Sequence, residues 1–233
     1  MKYVVCTGYC GEQEMPDCVK ALAFQGVEVD HHIIAYRSEI DAHNEIYKIF
    51  NEAPPDFIRA KIDADVVLND NALASIAKNI GTGDWVDPLV HDFFSNTQIH
   101  AGIAIYGSAV TFDIQTNTLK CDRGVAHYKR HIDIGCIGTH AHMSEGITAF
   151  HFGFHRGLKS QLPIYESMKR APQTSQRVIA IIGFELAQCD LYHEWHTKAV
   201  WPTSEEHNYG PRLDELYDTY VTQNMPVPRR SWW

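Results

Sequence analysis

The chain has 233 residues, 45% of them hydrophobic, and a formal net charge of −9. This length fits one large domain, or one domain with a C-terminal extension, and the hydrophobic content supplies an ordinary globular core. The negative charge argues against general nucleic-acid binding, which needs a basic surface, but it does not exclude an anionic substrate whose charge a metal ion neutralises.

Cysteine spacing and hydropathy bear on the compartment of the protein. None of the six cysteines forms a Cys-x-x-Cys pair or a zinc-binding spacing. The N-terminus has no signal-peptide pattern, and no apolar run reaches the roughly 18 residues that a membrane-spanning helix needs. These features predict a reduced, cytoplasmic protein, with disulfide pairing as the alternative.

The first third of the chain alternates between strand and helix patterns. Within the second predicted strand, Val29 and Ile33 are expected on the same face. Strands that alternate with helices predict a parallel α/β sheet. The predicted elements are strands at 2–6, 27–36 and 57–68 and helices at 16–26, 38–53 and 71–80.

Two carboxylates, Asp63 and Asp65, lie in the third predicted strand. Side chains alternate between the faces of a strand, so Lys61, Asp63 and Asp65 are expected on one side, with the aspartates roughly 6–7 Å apart. Oxygen ligands favour Mg²⁺ or Mn²⁺ over Zn²⁺. Since ligands of α/β proteins gather at the carboxyl ends of strands, we predict a metal site here. Two solvated carboxylates at a strand end are the alternative.

After Gly81 the alternation gives way to a loop, two strands and several helices. The apolar run Ser175–Cys189 predicts the most hydrophobic of these helices. The predicted elements are strands at 99–107 and 132–137 and helices at 144–159, 175–189 and 213–221.

Four histidines, His140, His142, His151 and His155, follow the strand predicted at 132–137. One neutral imidazole from this group would complete a metal site begun by the aspartate pair. The alternatives are a pH-sensitive surface cluster, or histidines packed among the neighbouring phenylalanines.

The order of these parts resembles the GT-A fold of glycosyltransferases, in particular the small bacterial family-2-like members with an Asp-x-Asp motif. The matching segments are VVCTGY, DAHNEIYKIF, KIDADVVL, IGTHAH and AFHFGFHRGLK, within about residues 3–160. The resemblance implies a GT-A-like, Rossmann-like mixed α/β sheet with flanking helices over residues 1–162. A helical C-terminal extension would follow over residues 163–233.

The resemblance also implies roles for individual residues. Asp63 and Asp65 would hold Mn²⁺ or Mg²⁺ against the diphosphate of a nucleotide sugar, with His140 or His155 as a further ligand. The residues implied in substrate binding are Thr7, Gly8 and Tyr9 at the nucleoside, Asn44 and Lys61 at polar contacts, and Arg156 and Lys159 at the leaving diphosphate.

The activity that the resemblance implies is transfer of a sugar from a nucleotide-diphosphate sugar to a hydroxyl of a glycan or lipid-linked glycan. Many inverting members take their general base from a Glu-Asp pair that has no clear counterpart here, and Asp92 and Asp133 are the candidates. Residues 82–130 would line the acceptor site. The alternatives are a metal-dependent nucleotidyltransferase or hydrolase, and a non-catalytic nucleotide-sugar-binding module.

The C-terminal segment Pro226–Trp233 combines two arginines with two terminal tryptophans. Arginine is attracted to anionic lipid and tryptophan prefers the headgroup zone, so the segment predicts a weak peripheral contact with the inner membrane face. Since one short segment binds membranes only marginally, packing on the domain or against another subunit is the alternative.

Overall fold

The computed structural model describes residues 1–9, 12–35, 39–114, 125–142, 146–158, 160–189 and 215–224, with the backbone alone at 39, 125, 155 and 158. The chain forms two compact units, residues 1–93 with 98–142, and residues 94–97 with 143–233. The boundary predicted at residues 162 and 163 is a different division of the chain and stays a prediction.

The first unit is built around a mixed sheet whose central strands are rich in buried aliphatic residues. Its helices are α1 (Met15–Leu22), α2 (Glu39–Glu52) and α3 (Ala72–Ala77). The described strands are β1 (Lys2–Tyr9), β2 (Glu28–Ala35), β3 (Phe57–Ile62), β4 (Val66–Leu68), β5 (Asp84–Asp92), β6 (Thr97–Ile99), β7 (Ile103–Tyr106), β8 (Thr111–Asp113), β9 (Val125–His127) and β10 (Arg130–His140).

The strand order brings the carboxyl ends of the parallel strands to one edge of the sheet. The order is β2-β1-β3-β7-β5-β10-β4, and β6 pairs with β5. β1 is parallel to β2 and β3, β5 is parallel to β10, and β7 is antiparallel to both β3 and β5. β4 is antiparallel to β10, so all the strands on this path except β4 and β7 point the same way. The predicted mixed α/β sheet with flanking helices is confirmed.

Two apolar clusters cover the sheet. One contains Leu22 of α1 and Leu73 of α3, and the other contains Phe50 of α2, which packs with Tyr106 and Phe112. Full burial of a side chain of this size contributes about 1.5–3 kcal/mol. Packing of the helices against the sheet thus stabilises the strands whose carboxyl ends form this edge.

The segment predicted as one strand over residues 57–68 is two strands separated by a turn. β3 ends at Ile62, and β4 pairs antiparallel with β10 beyond the other strands of the sheet. The Val66 N–H donates to the Asp63 carbonyl across 3.0 Å, which closes the turn. The prediction that Lys61, Asp63 and Asp65 share one strand face is therefore wrong, because both aspartates lie in the turn.

Val29 and Ile33 share a face of β2, as predicted, but the deepest burial in this strand is on the other face. Ile33 is 51% exposed, whereas Ile34 is 7% exposed and belongs to the cluster around Phe50. Two adjacent isoleucines fit either face of a strand, so alternation alone does not choose between them.

The second unit is helical in its described part, with α4 (Gly146–Leu158), α5 (Leu162–Arg170), α6 (Ser175–Ala187) and a π-helical turn at Asp218–Thr222. Thr174 caps α6 by accepting the Arg177 N–H. None of the described helices is long and apolar enough to cross a membrane. Parts of the helices predicted at 144–159 and 213–221 lie outside the described residues.

Candidate functional site

Three ionisable side chains form a chain of contacts at the carboxyl edge of the sheet. His140 ends β10, Asp92 ends β5, and the two are register partners on neighbouring strands. The distances are 2.8 Å from His140 Nδ1 to Asp92 Oδ1 and 3.2 Å from His140 Nε2 to Asp65 Oδ2. The exposed fraction of the side chain is 0% for Asp92, 4% for His140 and 19% for Asp65. The chain of contacts therefore runs from the buried interior towards solvent.

The contacts of His140 with Asp92 and Asp65 favour a positive charge between His140 and Asp65. A neutral imidazole has a single N–H, and an ionised carboxylate only accepts hydrogen bonds. When Nδ1 donates to Asp92, the Nε2 lone pair faces an oxygen of Asp65. A cation between these two atoms, either a second proton on His140 or a metal ion, makes the contact favourable.

Asp63 has a different environment from Asp65, although the two belong to the same turn. Lys61 Nζ lies 2.9 Å from Asp63 Oδ1, and the two side chains are 11% and 37% exposed. Lys61 thus already supplies a positive charge to Asp63, whereas Asp65 is directed to the imidazole of His140.

Backbone hydrogen bonds fix the turn that carries the aspartates. The Asp63 N–H donates to the Gly102 carbonyl across 2.6 Å, and the Ala141 N–H donates to the Asp65 carbonyl across 2.9 Å. Gly102 has φ +68°, and a Cβ there would lie 3.2 Å from His140 Cδ2 and 2.5 Å from a methyl group of Val66. Only glycine combines this backbone conformation with such a close approach.

A buried thiol lies beneath the same turn. Cys18 Sγ donates to the Asp63 carbonyl across 3.8 Å. Burial, reinforced by the charges of Asp65, Asp63 and Glu12, raises the pKa of Cys18 to about 12. Cys18 is therefore a neutral thiol near pH 7.

The end of β1 reaches the same edge of the sheet. β1 runs parallel to β3 with Cys6 opposite Lys61, so Thr7, Gly8 and Tyr9 continue towards the level of the aspartate turn. Thr7 is buried with its Oγ1 2.9 Å from His31 Nε2. Among the residues that the structure describes, none has an atom within 4 Å of a Cβ built on Gly8. The described part of the chain therefore leaves space at the end of β1.

The remaining predicted site residues are spread over the fold. Asp133 is 68% exposed and faces Asp87 on β5, about seven residues and so roughly 20 Å along the strand from His140. Asn44 is half-buried in α2. The general-base roles of Asp92 and Asp133 stay predictions. The side chain of Asp92 is completely buried, whereas that of Asp133 is largely exposed.

Some predicted residues belong to the second unit. Arg156 in α4 donates to Gln161 Oε1 across 3.1 Å, and its guanidinium carbon lies 4.9 Å from the centroid of the Phe152 ring. His151 is in the same helix, and burial lowers its pKa to about 4. The side chain of His155 and all of Lys159 lie outside the described residues.

A groove of about 310 Å³ lies away from the ionisable residues. Its lining is largely aliphatic, with Ile76 of α3, Val86 of β5 and Ile132 and Ile134 of β10, and includes none of the predicted site residues. A charged diphosphate needs cationic or metal partners, so the aspartate turn suits it better than this groove.

Sequence reasoning did not find the contact between Asp92 and His140 or the role of Gly102. Both His140 and Asp92 end strands, but β5 was not predicted, so nothing indicated that they are neighbours. The available signal was the position of Asp92, an acidic residue at the end of the segment that forms β5.

The comparisons with known proteins give a structural likeness but no match in sequence. No protein-family model matches the chain, and no curated protein matches it. The fold is similar to the crystal structure of S. aureus TarS 1–349, with a TM-score of 0.42 and 11% sequence identity over 93% of this chain and 83% of that chain. A likeness of this size carries no argument about activity, which is inferred below from the side chains themselves.

Proposed function

We propose that the protein is a metal-dependent glycosyltransferase that moves a sugar from a nucleotide-diphosphate sugar to a hydroxyl of a glycan or lipid-linked glycan. The observation that carries the proposal is the Asp92–His140–Asp65 chain of contacts at the carboxyl edge, beside the Lys61–Asp63 ion pair. This edge is where α/β sheets bind nucleotides and related ligands.

The residues present fit a Mn²⁺ or Mg²⁺ ion. An octahedral ion with bonds of about 2.1 Å holds neighbouring ligand atoms about 3 Å apart. His140 Nε2 and Asp65 Oδ2 are 3.2 Å apart. The hydrogen bond from Nδ1 to a buried carboxylate is the support that metal-binding histidines normally have. We assign Asp65 and His140 as direct ligands, with Asp63 contributing directly or through water.

When bound, the ion would stabilise the negative charge that grows on the diphosphate as the anomeric bond breaks. Lys61, whose Nζ lies 2.9 Å from Oδ1 of Asp63 in the aspartate turn, would add a second positive charge. Asp92 would hold His140 in one orientation and one tautomer, and we propose this positioning role in place of the general-base role. Its complete burial keeps an acceptor hydroxyl away.

The end of β1 would receive the nucleoside. Among the described residues, no atom lies within 4 Å of the position of a Cβ on Gly8, and we propose that Tyr9 stacks on the base. Backbone and aromatic contacts of this kind add affinity without requiring another charge in a protein that is already acidic overall.

A thermal-shift panel with Mn²⁺ tests the proposal against its two alternatives. A ligand at about 100 times its Kd stabilises the native state by about 2.7 kcal/mol. We expect nucleoside diphosphates to raise Tm only with Mn²⁺, and this gain to disappear in Asp65→Asn. A stronger effect of nucleoside triphosphates would favour the nucleotidyltransferase.

Turnover then separates an enzyme from a binding module. The full chain incubated with nucleotide sugars and Mn²⁺ should slowly release nucleoside diphosphate and free sugar even without an acceptor. Binding with no release for any nucleotide sugar, with and without a mixture of glycan acceptors, would contradict the proposed activity and favour the module.

A further inference from the structure

We propose that Asp87, His100 and Asp133 bind a second divalent ion, a transition-metal ion such as Zn²⁺, away from the carboxyl edge. One ligand atom from each of these side chains lies within 4.8 Å of those of the other two. The site is independent of the sugar-transfer proposal, since it uses none of the residues assigned there.

The strands hold two of the three ligands rigidly. Asp87 of β5 and Asp133 of β10 are direct register partners on neighbouring parallel strands, so their side chains leave the same face. His100, just after β6, places its Nδ1 3.6 Å from Asp87 Oδ1. The ligands therefore come from three separate parts of the chain that the sheet brings together.

The charges of these groups favour a cation between them. Like charges directly opposite each other on neighbouring strands are destabilising. His131 approaches from the same strand as Asp133, and its Nε2 lies 3.7 Å from Asp87 Oδ2 and 3.7 Å from Asp133 Oδ1. A carboxylate pair with an imidazole on either side is a nitrogen and oxygen donor set that a transition-metal ion accepts.

The spacing suits a tetrahedral ion. With bonds of about 2.0–2.1 Å, the ligand atoms of tetrahedral Zn²⁺ lie about 3.3 Å apart, so the gap of 3.6 Å between His100 and Asp87 must close by only a few tenths of an ångström. The oxygen of Asp133 lies within 4.8 Å of the other two ligand atoms and must approach them by up to about 1.5 Å, which rotation of an exposed side chain allows. The side chains of Asp87, His100 and Asp133 are 23%, 40% and 68% exposed. An ion can therefore enter from solvent, and water would fill its fourth position, with His131 supporting the carboxylates.

One ion cannot serve both sites. Asp133 and His140 are about seven residues apart on β10, which corresponds to roughly 20 Å along a strand. The two sites are also proposed to take different ions. Asp65 and His140 were assigned to Mn²⁺ or Mg²⁺, whereas the second site should retain Zn²⁺ in the presence of excess Mg²⁺.

The test uses the full chain carrying Asp65→Asn and His140→Ala, which removes the first site. Calorimetric titration with Zn²⁺ in excess Mg²⁺ should show one tight binding event per chain. His100→Ala or Asp133→Asn added to this background should each weaken it about tenfold or more. Cobalt should give the intense visible absorption of a tetrahedral site, and this absorption should be lost in the same two variants.

His127→Ala is the matched control, because His127 also faces a carboxylate, with its Nε2 2.9 Å from Asp113 Oδ2, but lies outside the cluster. It should leave the affinity unchanged. Equal zinc affinity in the parent, His100→Ala and Asp133→Asn would show adventitious binding by surface histidines and overturn the proposal. If the background variant does not fold, the number of zinc ions bound per chain is compared between the wild type and His100→Ala. Loss of one ion in His100→Ala would support the proposal, and an unchanged number would overturn it.

Discussion

Asp63 and Asp65 are separated by a single residue and yet have different partners. Asp63 is paired with Lys61, whereas Asp65 contacts His140. We therefore expect Asp65→Asn to lower Mn²⁺ affinity about tenfold or more, and Asp63→Asn to lower it less, since the lysine already neutralises that position. Calorimetric titration of both variants measures the difference. Equal losses would mean that the two carboxylates share the ion equally.

The buried carboxylate of Asp92 should act through His140 and not on the substrate. Asp92→Asn keeps the size of the side chain but removes the charge that supports the imidazole. We expect Mn²⁺ affinity to fall about 10- to 100-fold. Mn²⁺ titration should show this loss even under conditions where circular dichroism shows both proteins folded.

His91→Ala is the matched control for Asp92→Asn, because His91 is the exposed neighbour on the same strand. It should bind Mn²⁺ as the wild type does. If Asp92→Asn bound Mn²⁺ normally but lost all turnover, the positioning role would be wrong and the general-base role would return.

His151 should make the second unit sensitive to acid. Burial lowers its pKa from 6.5 to about 4. The unfolded chain therefore binds a proton between these values while the native chain does not, so stability is full above pH 6.5 and falls as the pH decreases towards 4. The complete difference is worth about 3 kcal/mol. Urea unfolding at pH 4.5, 5.5 and 7 should show this loss.

Replacing His151 by leucine should remove its share of the pH dependence, because leucine has no proton to bind. The comparison is between the slopes of the two proteins, so any constant cost of the substitution cancels. Parallel slopes between pH 4 and 6.5 would show that His151 titrates alike in the folded and unfolded chains.

At the scale of secondary-structure elements, glycines let α4 and α6 approach closely. A Cβ on Gly153 would overlap the carbonyl oxygen of Ala180, and a Cβ on Gly183 would overlap that of Phe150. We expect Gly153→Ala to destabilise the protein by about 1–3 kcal/mol, since the helices must separate to admit the methyl group. Thermal unfolding measures the change.

Gly135→Ala is the control for this prediction, because a Cβ on Gly135 of β10 would meet no atom of the described residues within 4 Å. It should leave Tm nearly unchanged. A Tm for Gly153→Ala close to that of Gly135→Ala would show that the two helices pack less tightly than described.

Regular elements with a clear pattern could be predicted from the sequence, and the interrupted ones could not. The apolar run after Thr174 predicted α6, which begins at Ser175 as expected. β5 was missed because Pro88 lies inside it, and proline usually excludes a central strand. In the structure Pro88 faces Ile134, next to an irregularity in the ladder with β10, where a missing N–H is tolerated.

At the scale of the whole molecule, the sequence indicated the edge of the sheet where the candidate site lies but not the strand pairings that form it. Asp65, Asp92 and His140 meet only because β4 and β5 both pair with β10. Such long-range pairings depend on the packing of the complete sheet, and local patterns do not encode them. The aspartate pair could be proposed because its motif is local, whereas Asp92 was proposed without its partner His140.

The predicted membrane contact of the C-terminus belongs to the same scale, and its residues lie outside the described part of the chain. Arg229, Arg230, Trp232 and Trp233 combine cationic and interfacial side chains in a protein of net charge −9, so attraction to anionic lipid must come from this local segment. If the acceptor is a lipid-linked glycan, such a contact would bring the protein to the membrane that holds it.

Liposome co-sedimentation of the full chain against a chain ending at Asn224 tests this contact. With anionic vesicles at low salt we expect more of the full chain in the pellet, because each arginine near the surface adds about 1 kcal/mol of attraction. The excess should shrink at moderate salt and with neutral vesicles, as screening shortens the range of the attraction. Equal pelleting of the two chains under all conditions would assign the tryptophans to packing within the protein or between subunits, and gel filtration of the same two chains would separate these outcomes.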